Sequence, residues 1–248
     1  MTSNYRVGIG IYEVTDPAIG LQMQGFADDS QKTTGVESPL FSRAFIVEDQ
    51  TTGMRVVIVS ADIWARTNVV KQAVVNRLQL QFGTLIYTSD NVLISGTHTH
   101  SAPGGYAGYR LYDLTGKGFD PNTFECIVSG ILTSIRKAHN NLGPGNIYLN
   151  KGDIPDCGRN RSLEAYLNNP QNERDKYANL YRDHPYRVWP YGSDAGATDK
   201  EMLLLKFTKS DPSGTERPVG VISWYGIHPT DRGQKNTLFG IFRGTFML

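Results

Sequence analysis

Arg55-Val56-Val57-Ile58-Val59-Ser60-Ala61 carries a near-continuous β-branched run, the pattern of a strand buried on both faces in the middle of a sheet. Downstream, between Thr67 and Phe82, Val69, Val70, Ala73, Val74, Leu78 and Leu80 recur mostly at three- and four-residue spacing, which predicts an amphipathic helix. Asn91 to Ser95 then returns to a strand-like pattern. Strand, helix and strand in this order point to an α/β layer architecture.

Working outward, Tyr5, Val7, Ile9 and Ile11 alternate with small or polar residues, the period of a strand with one covered face. Arg43 to Glu48 reads as another strand. Phe124, Ile127, Val128, Ile131, Leu132 and Ile135 share one helical face, and Gly143-Pro144-Gly145 is expected to close the connection after that helix. Asn146 to Asn150 follows as strand. Glu201 to Thr208 and Val219 to Tyr225, separated by Ser210-Asp211-Pro212-Ser213-Gly214, predict a hairpin, so the sheet is expected to be mixed. The predicted fold is therefore α/β, a layered mixed sheet with flanking helices. Asn168 to Thr198 shows no sustained period and reads as a long surface excursion.

With 25 Lys and Arg against 24 Asp and Glu, the 248-residue chain has a formal charge of +1, so no global field draws it to nucleic acid or an anionic membrane. Any lipid recognition must be local. Met1 to Arg6 lacks a basic segment leading into an apolar stretch, so no secretory signal is expected there and the compartment stays open. Nor does any uninterrupted apolar run reach spanning length. Cys126 and Cys157 are too few for a disulfide framework or a cysteine zinc site; they read as a small buried residue and a loop thiol.

The chemistry concentrates in Gly96-Thr97-His98-Thr99-His100-Ser101-Ala102-Pro103-Gly104-Gly105-Tyr106, which begins where a predicted strand ends. Ligands of open α/β sheets bind beyond the carboxyl ends of strands. His98 and His100 at i and i+2 point the same way in an extended segment, as convergence on one metal or substrate atom requires. Taken alone, the pair could equally serve to hydrogen-bond its own loop. A second strand, Val221 to Tyr225, then leads to His228. Neutral imidazoles suit zinc, but a catalytic zinc takes about three protein ligands and an open position, so two imidazoles are not enough for one. Asp62 stays unassigned between ligand and helix cap. His139 reads as a helix-end cation and His184 as a loop residue. Arg159 and Arg161 could reach a carbonyl or an anionic intermediate, and Asn160-Arg161-Ser162 matches the glycosylation triplet. A barrel-type metal hydrolase is disfavoured because several strands precede His98. A phosphate cradle is disfavoured because no Lys-Ser/Thr follows the glycines.

Ile94 to Ser101, continued by Pro103-Gly104-Gly105-Tyr106, resembles the signature loop of the neutral/alkaline non-lysosomal ceramidases, with Ala102 where glycine is usual. Gly8 to Tyr12, Phe41 to Val47, Asn160-Arg161-Ser162, Ala165 to Pro170 and Asp199 to Met202 match in order. The resemblance implies zinc-dependent hydrolysis of the N-acyl amide of ceramide to sphingosine and a fatty acid, with possible peripheral membrane contact and no nucleic acid. By the resemblance, His98 and His228 are zinc ligands, while His100 and Arg161 contact substrate or the developing oxyanion.

The similarity covers Tyr5 to Phe239, with an apparent insertion between Tyr177 and Thr198. Family members continue into a serine of the pocket, a glutamate and a tyrosine that complete the zinc shell, and a β-sandwich. The expectation is a partial catalytic domain over 1–239, incomplete relative to the family's, and a divergent tail over 240–248. A ceramidase impaired as an isolated chain is then expected, the alternative being a non-catalytic lipid- or partner-binding remnant.

Overall fold

Residues 4–16, 19–25, 28, 30–114, 118–154, 160, 162–178, 197–228 and 237–238 are described by a computed structural model. Along them run β1 (Tyr5–Glu13), β2 (Gly35–Val36), β3 (Phe41–Asp49), β4 (Arg55–Ala61), α1 (Asn68–Phe82), β5 (Val92–Gly96), α2 (Arg110–Asp113) and α3 (Pro121–Asn140). They continue with β6 (Gly143–Asp153), α4 (Leu163–Leu167), α5 (Gln171–Ala178), β7 (Glu201–Ser210), β8 (Glu216–Tyr225) and β9 (Thr237–Leu238).

Seven strands form one sheet in the order β5-β4-β3-β1-β6-β7-β8, and β2 pairs with β9 separately. The sheet is mixed, as expected: β4 and β5 are parallel, with α1 between them in sequence, while β1 is antiparallel to both β3 and β6. Helix starts follow local chemistry. The Thr67 hydroxyl accepts from the Val70 N–H to cap α1, and Asp120 accepts from Thr123 N–H, with Pro121 opening α3.

The chain divides into two units, and the boundaries fall inside β6, β7 and β8. The first comprises Met1–Tyr148, Lys206–Ile222 and Pro229–Leu248. In it, Val57, Val59 and Ala61 of β4 join Val70, Val74 and Leu78 of α1 and Ile127, Ile131 and Ile135 of α3 in one core. Two glycines let α3 lie directly on β1. A Cβ on Gly8 would stand 2.1 Å from the Ala138 carbonyl oxygen, and one on Gly10 2.1 Å from that of Ser134. On a second apolar contact, Phe45 of β3 meets Phe207 of β7 with ring centroids 4.9 Å apart, and Gly220 of β8 leaves room for Ile9 and Phe45.

The second unit comprises Leu149–Leu205 and Ser223–His228. There the Ile154 N–H donates to the Lys200 carbonyl at 2.8 Å, and the Tyr225 hydroxyl donates to the Ile154 carbonyl at 2.9 Å.

Four expectations need correction. The β4 run is covered fully on one face only, since Val56 is 39% exposed and Ile58 half-buried, because α1 and α3 pack against Val57 and Val59. Gly143-Pro144-Gly145 is no connecting loop; it starts β6 and pairs with Val7, Arg6 and Tyr5, a proline being tolerated at a strand's beginning. The stretch after Asn168 holds a helix, α5, begun after Pro170 and supported by the Gln171 amide donating to Asp175. His139 is not a cation on a helix end. Tyr87 Oη lies 2.7 Å from its Nδ1, the Arg55 guanidinium 3.1 Å from it, and burial followed by Arg55 lowers its pKa. Glu48 takes up the Arg55 charge.

Candidate metal centre

Strand β5 delivers the histidine loop into unit one. His98 follows it with φ 62°, the one positive-φ residue other than glycine among the described residues. A β-region backbone would carry the chain onward; the left-handed turn redirects it, at a conformational cost typical of functional sites. The turn is held by its neighbours. The His98 N–H donates to the Ile63 carbonyl at 3.1 Å, and Thr97 N–H to Ala61 at 2.8 Å. His98 Nδ1 lies 3.0 Å from the Trp64 carbonyl oxygen. A carbonyl only accepts, so Nδ1 carries the hydrogen and Nε2 presents the lone pair that a metal takes.

His100 is buried, with its ring 5.0 Å from that of His98 and at 84° to it. Its imidazole lies over Gly25: a Cβ there would come within 2.5 Å of Cε1 and Nδ1, and Gly25 has φ 92°. Farther along the loop, Gln24 N–H donates to Ala102 and Gly104 N–H to Gln22. Ala102 puts its methyl into a small cluster with Val14 and Leu40.

Tyr106 anchors the far end, its hydroxyl accepting from Ala65 N–H at 3.2 Å and donating to the Ala65 carbonyl at 3.1 Å. Burial raises its phenol pKa well above the ordinary value, so it stays a neutral strut. Asp113 receives the Ala107 and Gly108 N–H groups at 2.9 and 2.8 Å.

Asp62 is neither ligand nor cap. It is buried, both carboxylate oxygens lie 3.0 Å from Arg43, and it accepts Phe41 N–H at 2.9 Å, which ties the end of β4 to the start of β3. Burial raises its pKa and Arg43 opposes the rise. In unit two, His228 is exposed, three residues past β8. Asn160 uses its amide internally, donating to the Ala197 carbonyl at 2.9 Å and accepting Ser162 N–H at 2.8 Å, which leaves it poorly suited to carry a glycan. Arg161, Arg159, Cys157, His184 and Pro229 lie outside the described residues.

The structure thus brings His98 and His100 together. Among the described residues, the donors suited to a metal ion are the imidazoles of His98, His100 and His228. An all-imidazole set suits zinc, and the Trp64 carbonyl holds one member in the ligating tautomer. Sequence reasoning missed Trp64 and Gly25. Trp64 contributes a backbone atom, which no side-chain pattern reveals, and the need for glycine at 25 arises from a ring far along the chain.

The model of the neutral/alkaline non-lysosomal ceramidase family, N-terminal part, matches residues 5–240. The chain belongs to this family. It is 43% identical over 236 residues to neutral ceramidase 1 of Arabidopsis thaliana, covering 95% of this chain and 27% of that protein. A solved ceramidase "complexed with C2" superposes with a TM-score of 0.80 at 31% identity, over 96% of this chain and 33% of the other. The neutral ceramidase of Pseudomonas aeruginosa gives 0.78 at 33% identity, over 94% and 33%. The chain therefore spans about a third or less of these ceramidases, and over that part it shares their fold.

Proposed function

We propose that the chain forms the N-terminal part, residues 1–239, of a zinc-dependent ceramidase that hydrolyses the N-acyl amide of ceramide to sphingosine and a fatty acid. His98 and His228 serve as metal ligands in this reading. His100 and Arg161 face the substrate. The observation that carries it is His98 itself: a strained backbone and a fixed tautomer, with a second buried imidazole beside it. The relatives' names supply the substrate class.

Zinc, when bound, supplies Lewis acidity toward an amide carbonyl and a water of lowered pKa. The protein's own residues do the rest. Trp64 keeps Nε2 of His98 in its donor form, which removes the cost of choosing a tautomer at each binding event. Gly25 leaves room for the His100 ring to pack against the chain, so the imidazole is oriented before substrate arrives. Arg161 offers a planar cation to the oxygen that gains charge, an interaction stronger in the transition state than in the ground state.

The test is release of sphingosine from a fluorescent short-chain ceramide, with added zinc and with a chelator, alongside the metal content of wild type, His98→Ala and His228→Ala. Chelator-sensitive turnover and zinc lost in both variants support the reading. Undiminished zinc in the His98→Ala protein overturns the ligand assignment. Ceramide binding without turnover in a zinc-loaded chain would identify a lipid-binding remnant instead.

A further inference from the structure

The groups that hold His98 come from one short strap, Ala61 to Ala65, which leaves β4 and lies against Gly96. A Cβ on that glycine would stand 2.7 Å from the Ile63 carbonyl oxygen and 3.1 Å from the Ala65 Cα. Ala61 accepts the Thr97 N–H, Ile63 accepts the His98 N–H, and the Trp64 carbonyl fixes the imidazole. The strap thus sets both the backbone and the ring of His98. A residue at φ 62° keeps that conformation only while its surroundings over-determine it.

Asp62 fixes one end of the strap. Its N–H donates to the Phe41 carbonyl at 2.8 Å and its carboxylate accepts the Phe41 N–H at 2.9 Å, so main chain and side chain grip the same residue of β3. Both carboxylate oxygens lie 3.0 Å from Arg43 Nη1, and the Asp62 side chain is 1% exposed. The other end is gripped by the Tyr106 hydroxyl through Ala65. Arg43 and the Phe41 N–H are both donors, so an amide in place of the carboxylate would turn its NH2 onto one of them. Buried ion pairs are often no more stabilising than apolar side chains of the same volume, which directs attention to what this pair holds in place.

We propose that Asp62, held by Arg43, is a positioning residue for the metal site, acting through the Ala61–Trp64 backbone to keep His98 in its left-handed turn with Nε2 as the ligating nitrogen. The inference rests on the reading of His98 as a ligand, but its first readout is taken on zinc-free protein, so the two can fail separately.

Imidazole 15N shifts of the zinc-free chain report which nitrogen of His98 carries the hydrogen, and calorimetry with zinc chloride reports affinity. Wild type should show His98 protonated on Nδ1. Asp62→Asn and Arg43→Gln should each give a mixture of the two tautomers and bind zinc at least about tenfold more weakly. Because one Arg43 nitrogen meets both oxygens, Arg43→Lys should stay nearer wild type than Arg43→Gln. Ile131→Val is the control: it loosens the core and lowers the melting temperature, yet should leave tautomer and zinc affinity as they are. If Asp62→Asn does not fold, Arg43→Gln decides. Wild-type tautomer and zinc affinity in either folded variant overturns the proposal, as does an equal loss in Ile131→Val, which would make the effect one of stability alone. Wild type that takes up no zinc overturns the ligand reading of His98, and the tautomer comparison still decides the role of Asp62.

Discussion

Two regions of unit one use glycine and the backbone in opposite ways. Along the seam between α3 and β1, Gly8 and Gly10 remove side chains so that a helix can lie on a strand, beside an apolar core and with the Asn141 amide bonded to both backbone groups of Ile9. In the loop from Gly96 to Tyr106, Gly25 makes room for an imidazole, His98 takes a costly conformation, and buried polar groups are held by backbone hydrogen bonds. The seam lowers the energy of the folded state. The loop spends part of that energy to fix two rings in advance of any ligand.

The harshest way to break the comparison is Gly10→Ala. The new Cβ would stand 2.1 Å from the Ser134 carbonyl oxygen and 2.6 Å from the Ala138 nitrogen, both helix backbone, so about 3 kcal/mol is lost in urea unfolding. A change below about 1 kcal/mol would show that α3 can slide and that the seam is not rigid. Gly25→Ala probes the other region. Positive φ and the clash with His100 cost about 2 kcal/mol, and affinity for a short-chain ceramide should fall, because the ring proposed to face the substrate must move. Calorimetric titration of the variant with that ceramide measures the fall, and wild-type affinity would mean that His100 needs no fixed orientation.

His98→Gly carries the opposite sign. Glycine tolerates φ 62° without strain, so the melting temperature should rise by an amount equivalent to about 1 kcal/mol while zinc binding disappears. A lower melting temperature would place the loop's stability in the ring rather than the backbone. The smallest effect lies on the surface between α1 and α3, where Arg77 grips Glu125 at 2.6 and 2.7 Å and lowers its pKa to about 2. That pair stabilises the fold above the ordinary glutamate pKa of 4.5, and its contribution is lost as pH falls toward about 2. Since both side chains are partly exposed, a double-mutant cycle at neutral pH should give about 0.5 kcal/mol, shrinking with added salt.

Periodicity made the packed region legible. The alternation in β1, the β-branched run of β4 and the apolar faces of α1 and α3 each record a burial that repeats with the element's own geometry, and the bounds of β4 agree with the expectation residue for residue. The exceptions share a cause. Pro144 inside β6, α2 and α5 are short or breaker-containing, and so depend on neighbours rather than period. His139 reads as a dipole-stabilised cation because a helix end is visible in sequence, while the burial and the Arg55 charge that lower its pKa come from elsewhere in the chain.

By itself the sequence determined the mixed α/β layers, the family, and the histidines at the ends of two strands, since each is written in local pattern or in an ordered motif. Only the tertiary structure decided that Asp62 pairs with Arg43, that the Trp64 carbonyl sets the tautomer of His98, and that Gly25 bears the ring of His100. These contacts join residues distant in the chain through single atoms. No repeating pattern along the sequence records such a meeting, because it arises when folding brings the two segments to the same place.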